Sequence, residues 1–225
     1  PISCNRPTRD VRSAITEAEW LEAMSDRRIP DGSPIWAGLD VAWKWDTTAL
    51  VPLWIPEAEF RLFGEATILE PPRDGSSLDP TKVEDSLSAL AHRYALHTVV
   101  MDTSRAEQLA EWIRAELDVN VVDRVQTNAL AVQDYERFME ALRMGYLHHS
   151  GDVGLTSHAL NAIARILPGG DARFDRPAAS RTDAEAQGRR VIDGLTAASM
   201  VHSQMVADMT AVAVAPPRAI DLSSL

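Results

Sequence analysis

The spacing of apolar residues changes period once along this chain, and that change limits its fold more than any other feature. Three runs in succession, residues 35–41, 47–55 and 61–69, read as β-strands with short connections. Pro52 in the second run predicts an edge or a bulge, because proline cannot donate to a ladder. After them the pattern alternates. Asp79-Pro80 opens a helix with Val83, Leu87, Leu90, Ala91 and Tyr94 at helical spacing. A strand follows at 97–101, then a helix at 106–117 with Leu109, Trp112, Ile113 and Leu117 on one face. A strand at 119–125 leads to a helix at 129–144 that carries Tyr135, Phe138, Met139 and Leu142 inward and stops at Gly145. Residues 146–172 predict a short strand, a turn at Ser150-Gly151 and a helix of about ten residues from near Thr156. Arg173-Phe174 predicts one more short strand, and a polar loop at 175–187 precedes a closing helix at 191–209. The expected fold class is α/β: a mixed central sheet, three antiparallel strands and then parallel ones, flanked by helices on both faces.

At about 150 residues per domain, 225 residues predict one globular unit with attachments. Residues 1–34 read as a connector with a short helix. Thr16 and Glu19 form a capping box, Trp20, Leu21 and Met24 lie on one side, and 27–34 has linker chemistry. The globular domain is expected over 35–213, with a flexible tail at 214–225. Thirty-three acids against 22 bases give a net charge of −11, which excludes a generic basic nucleic-acid coat. The single cysteine, Cys4, excludes an internal disulfide framework and a cysteine-built zinc site, and it points to a reducing compartment. No run approaches the ~18 apolar residues that span a bilayer, no signal-peptide pattern opens the chain, and no GxxxxGK[ST] phosphate loop occurs. Because the first residue is Pro1, the chain reads as processed or as a piece of something longer.

Three acids are oddly placed. Asp40 and Asp102 each end an otherwise apolar strand, and Asp193 opens a helix that continues with the small residues Gly194-Leu195-Thr196-Ala197-Ala198-Ser199. Small residues let a helix lie close to a sheet. If that helix crosses the ends of neighbouring strands, three carboxylates converge, repelling one another until a divalent cation neutralises them. Oxygen ligands without thiolates select Mg²⁺ or Mn²⁺, and two such ions about 4 Å apart clamp the attacking and leaving oxygens of a phosphodiester. Each acid taken alone has a plainer reading: Asp102 as a cap for the helix after it, Asp193 as a favourable charge at a helix N-terminus.

Four pieces in order resemble the nuclease domain of phage terminase large subunits. They are Asp40 with Asp46-Thr47-Thr48-Ala49-Leu50; Val99-Val100-Met101-Asp102 with Gln108-Leu109 and Val125-Gln126-Thr127; Phe138 through His148-His149 and Gly151-Asp152 to Leu155-Thr156-Ser157-His158 and Asn161-Ala162; and Arg190-Val191-Ile192-Asp193-Gly194-Leu195-Thr196-Ala197-Ala198. The resemblance spans about residues 35–207, and Thr16-Glu17-Ala18-Glu19-Trp20 resembles the stretch joining the packaging ATPase to the nuclease. It implies an RNase H-like (RuvC-like) fold and metal-dependent endonucleolytic cutting of double-stranded viral DNA at packaging. By the same resemblance Asp40, Asp102 and Asp193 are the catalytic, metal-binding acids for two Mg²⁺ or Mn²⁺ ions. Some relatives carry two adjacent acids at the third position, where this chain has Ile192 before a single Asp193. Also implied are an N-terminal packaging ATPase domain, a portal and a small terminase subunit as partners, no membrane, and the host cytoplasm as location.

Other residues carry two readings each. Asp46 reads as a turn residue or an indirect support of the site. His158 and Asn161, at i and i+3 on one helix face, either line the site or make a structural polar contact. Trp43-Lys44-Trp45 is a DNA-touching turn or a hairpin tip with one buried indole. Lys44 and Arg105 are candidate DNA contacts. Residues 35–150 hold 19 acids and 10 bases, whereas 173–190 hold five arginines against three acids. That loop, with Arg181, Arg189 and Arg190, is therefore the expected DNA-facing element. Competing readings are a RuvC-like junction-resolving nuclease, an actin-like ATPase, whose phosphate turn wants glycine where this chain has Val41-Ala42-Trp43-Lys44-Trp45, and a non-catalytic docking module of a packaging motor.

Overall fold

The structure, a computed structural model, describes residues 13–177 and 190–214. Its elements run α1 (Glu17–Glu22), β1 (Pro34–Asp40), β2 (Thr48–Glu57), β3 (Phe60–Phe63), β4 (Thr67–Leu69), α2 (Pro80–Arg93), β5 (Ala95–Met101), a 3₁₀ turn (Thr103–Arg105), α3 (Glu107–Glu116), β6 (Asn120–Asp123), α4 (Asn128–Arg143), β7 (Leu147–His149), α5 (Val153–Asn161), β8 (Ile163–Ile166), β9 (Ala172–Asp175) and α6 (Asp193–Val214). Seven strands form one mixed sheet in the order β6-β5-β1-β2-β3-β7, with β4 also on β2. β1 pairs antiparallel with β2 and parallel with β5, and β5 pairs parallel with β6. This is the RNase H-like α/β arrangement expected from the sequence.

Helices cover both faces. On one side α1, α4, α5 and α6 bury Trp20, Phe138, Leu155, Leu195 and Val201 against Val51, Leu53, Phe63 and Val100. On the other, α2 and α3 bury Val83, Leu87, Leu109 and Ile113 against Leu39, Leu50, Val99 and Met101. The central strands are covered twice, so they read as near-continuous apolar runs. Helix starts follow local chemistry: Thr16 and Glu19 close the capping box of α1, Asp79 caps α2, Thr127 caps α4 and Asp152 caps α5.

The structure differs from the sequence reading in several places. The run 61–69 is two strands. Phe63 pairs with Leu53 and Thr67 with Leu50, so one side advances four residues while β2 advances three. The extra residue is a bulge, and Pro52 sits opposite it, accepting from the Gly64 N–H at 3.0 Å. Pro52 thus marks a bulge in an interior strand. α5 starts at Val153, because Asp152 rather than Thr156 supplies the cap, and it ends at Asn161, leaving Ile163–Ile166 to pair with β9 as a small separate sheet. α6 runs on to Val214. In the connector Trp20 is fully buried and stacks on His149 at 4.0 Å, whereas Leu21 and Met24 are exposed. From Ser13 onward that segment is packed onto the sheet-and-helix unit, with Ile15 also fully buried. Arg181, Arg189 and residues 215–225 of the expected tail lie outside the described residues, and the first residue of that tail, Val214, ends α6 instead. Among the described residues no helix is long and apolar enough to cross a membrane.

Candidate active site

The site is built where α6 crosses β1. Along β1, Ile35, Ala37 and Leu39 are fully buried, and Gly38 and Asp40 point to the opposite face by the two-residue period of a strand. Gly38 is required there: a Cβ would stand 2.0 Å from the carbonyl oxygen of Ala197. The backbone of α6 rests directly on the strand. Asp40 lies two residues beyond Gly38, about 7 Å along the strand. Asp193 lies one turn before Ala197, about 6 Å back along the helix. Fixing one contact therefore brings the two carboxylates together at the C-terminal edge of the sheet. There β1 changes from a parallel to an antiparallel neighbour, the kind of edge where α/β sheets bind ligands.

The electrostatics agree with this geometry. Burial pushes the Asp40 carboxyl up and the Asp193 charge pushes it further, to about 7. Burial also raises the Asp193 carboxyl, against the hydrogen bonds it accepts from Thr47. Those bonds run to one oxygen, Oδ2, from the Thr47 N–H at 3.0 Å and its hydroxyl at 2.5 Å. The start of α6 is pinned from α5. His158 Nδ1 accepts the Gly194 N–H at 2.7 Å, and Asn161 donates to the Val191 carbonyl at 3.3 Å. Because a backbone N–H can only donate, buried His158 is neutral with its proton on Nε2. His158 and Asn161 thus make structural polar contacts, and what those contacts hold is the segment bearing Asp193.

Asp102 follows β5, whose Met101 is in register with Leu39 of β1, so Asp40 and Asp102 leave neighbouring strands in step. Its Oδ1 accepts the Ser104 N–H and hydroxyl at 3.1 and 2.6 Å, capping the 3₁₀ turn, and its Oδ2 accepts the Gln126 N–H at 3.2 Å. Burial raises its carboxyl, but the Ser104 and Gln126 hydrogen bonds, with Arg105, outweigh that and hold it below the ordinary range. Gln126 connects the acids, since its side-chain amide donates to Asp40 Oδ1 at 3.1 Å. Asp46 sits at the rim in an ion pair with Arg176 at 2.6 Å.

A cleft of about 240 Å³ is lined by Asp40, Asp46, Asp193 and Gln126, by Asp134 and Asp175, and by Arg105, Arg124, Arg173 and Arg176; Asp102 is not among its lining residues. Its four arginines face five carboxylates, so the cleft is mixed in charge rather than positive. Of the expected DNA contacts, Arg105 lines the cleft, while Lys44 and Arg190 are exposed. Thr47, Gln126 and Arg176 received no role from the sequence. Thr47 and Gln126 fall within the pieces that carry the resemblance, but nothing in their local sequence says which acid they serve, and Arg176 stood out only as part of a basic loop.

Among the described residues no three of His, Cys, Asp and Glu stand close enough to enclose a metal ion by themselves. The donor chemistry still fits a hard divalent cation. Asp40 and Asp193 are half-buried, mutually repelling carboxylates that Arg105 and Arg176 only partly offset, and Mg²⁺ is commonly held by one or two carboxylates, with water and substrate phosphate completing its shell.

No family model matches the chain, and no curated protein matches its sequence. Its fold is shared with solved phage proteins. The large terminase of bacteriophage HK97 superposes with a TM-score of 0.68 at 17% identity, covering 86% of this chain and 43% of that one. The large terminase nuclease from thermophilic phage G20c superposes with a TM-score of 0.61 at 14% identity, covering 85% and 98%. The same nuclease with bound magnesium gives 0.61 over 85% and 97%. At these identities the likeness is one of fold. This chain spans less than half of the HK97 protein and nearly all of the isolated G20c nuclease.

Proposed function

We propose that this chain is the nuclease of a phage DNA-packaging terminase, a divalent-metal-dependent endonuclease that cuts double-stranded DNA by two-metal-ion hydrolysis of a phosphodiester. The observation that carries the reading is the meeting of Asp40 and Asp193 at the first turn of α6, in a cleft that also holds four arginines among its carboxylates. Asp40 and Asp193 hold Mg²⁺ or Mn²⁺. Asp102, which leaves the neighbouring strand in step with Asp40, would be the third acid to hold the ions. When bound, the ions supply an activated water and charge neutralisation at the phosphate. The protein supplies the rest. Thr47 fixes the Asp193 carboxylate, Gln126 orients Asp40 against Asp102, and Arg105 and Arg176 present forked donors to backbone phosphates. In this reading Asp46 keeps Arg176 aimed across the rim, and Lys44, Arg181, Arg189 and Arg190 extend the DNA-facing surface. The partners are double-stranded DNA, an N-terminal packaging ATPase, a portal and a small terminase subunit, in the host cytoplasm.

The test is plasmid cleavage with Mn²⁺, Mg²⁺ and EDTA, comparing the wild type with Asp40→Asn and Asp193→Asn. Cutting by the wild type with either metal, and by neither variant, is the expected result. Metal-dependent nicking retained by both variants would sink the assignment.

A further inference from the structure

We propose that the indole of Trp45 stacks on a nucleotide of the DNA beside the cut site, which rests on the nuclease reading and names a substrate contact within it. Trp45 is 83% exposed, and no other aromatic side chain among the described residues is so open to solvent. Its backbone is also unusual. With φ at +71° and the Asp46 N–H donating to the Lys44 carbonyl at 2.9 Å, Trp45 occupies the centre of a positive-φ γ-turn. That turn is rare and strained, and a bulky residue persists in it only when its surroundings over-determine the conformation.

The surroundings do so. Ala42 exchanges hydrogen bonds with the Thr48 hydroxyl at 3.0 Å, donating its N–H and accepting at its carbonyl. The Trp43 indole donates to the Arg105 carbonyl at 2.9 Å, and the Trp43 carbonyl accepts the Leu78 N–H at 2.8 Å. Asp46 is paired with Arg176, and Thr47 is bonded to Asp193. The loop is tied on both sides of Trp45, and the one ring that makes none of these ties is held out in water.

The position selects the ligand. Only Asp46 separates Trp45 from Thr47, so its Cα lies within about 7 Å of the residue that holds Asp193. Lys44 is exposed beside it, and its other neighbour, Asp46, lines the cleft with Arg105 and Arg176. A rigid aromatic face flanked by cations is the chemistry that binds a base together with its phosphate. The loop's rigidity means that little ordering entropy is lost when DNA arrives.

The test uses the intact chain with Trp45→Gly, Trp45→Phe and Trp45→Leu. Glycine tolerates the positive φ, so W45G removes the ring without unfolding the turn, and its Tm should not fall below that of the wild type. Affinity for a fluorescein-labelled duplex in Ca²⁺ should drop about tenfold in W45G and W45L, with W45F, which keeps a π face, losing less. Tryptophan fluorescence quenched by DNA in the wild type should be largely unquenched in W45F. If the wild type cuts and binds DNA and W45G does so equally well, the ring serves another contact, such as a protein surface, and the stacking role is overturned while the nuclease reading stands. A wild type that neither binds nor cuts DNA overturns both.

Discussion

A single methyl group tests the construction of the site. In Gly38→Ala the new Cβ would lie 2.0 Å from the Ala197 carbonyl oxygen, where ordinary contact begins at 3.4 Å, so about 1.4 Å must be found. The obstructing atom is helix backbone, which no rotamer can move. α6 therefore has to retreat or tilt, and Asp193 goes with it, one turn from the collision. Overpacking of this kind costs about 1–3 kcal/mol. Displacement of a reacting group by about 1 Å can cost 100-fold in rate. Mn²⁺-dependent plasmid cutting should therefore fall about 100-fold in a variant that is still folded, its urea transition lowered by only about 1–3 kcal/mol. Gly169→Ala is the control, since its Cβ meets only Asp171 Oδ2 at 3.5 Å. If Gly38→Ala keeps wild-type cutting and wild-type Mn²⁺ affinity by calorimetry, the seat of α6 on β1 does not set the distance between the acids, and the reasoning fails.

Other predictions follow from the same contacts. The Asp40 carboxyl is raised to about 7 from an ordinary 3.8. The metal-free folded state therefore keeps a proton that the unfolded chain has lost, and stability falls as pH rises through that window. In EDTA, Asp40→Asn should melt above the wild type at pH 8, the gap narrowing as pH falls and closing near 4. Mn²⁺ affinity of the wild type should climb between pH 6 and 8, and a flat calorimetric profile would contradict an Asp40 ligand. Thr47→Val removes the hydroxyl bond to Asp193 and keeps the backbone one. At about 1.5 kcal/mol for a charge-assisted bond, it should weaken Mn²⁺ binding roughly tenfold while leaving the fold intact by circular dichroism. Arg124 and Asp134 form a buried ion pair between the end of β6 and α4, with the Ser203 hydroxyl at 3.1 Å from Arg124. Removing either alone should cost about 3–5 kcal/mol in urea unfolding, and replacing both with apolar residues much less.

What could be read from the sequence was what depends on neighbours in the chain. Strand acids, caps and the small residues after Asp193 are local signals, and Asp40, Asp193 and the close-packed α6 followed from them. Asp102 was legible both as a strand acid and as a cap, and the structure realises the cap. Thr47 and Gln126 stayed hidden because their meaning lies in partners 146 and 86 residues away. The split of the third run arose from one extra residue opposite Pro52. β8 was lost because Ile163–Ile166 finds its partner only when β9 folds back on it. Trp20 was placed beside Leu21 and Met24 by helical spacing, but a helix of six residues buries one residue, and the docking site on His149 decided which.

The seat on Gly38 also divides α6 into unequal arms. From Ala197 the helix extends about 6 Å to Asp193 and about 25 Å to Val214. Tilted about that fulcrum, the far end travels roughly four times as far as the carboxylate. A disturbance arriving at the distal end reaches the cleft reduced by that ratio, so the short arm keeps the acid still while the long arm absorbs whatever pushes on the rest of the helix.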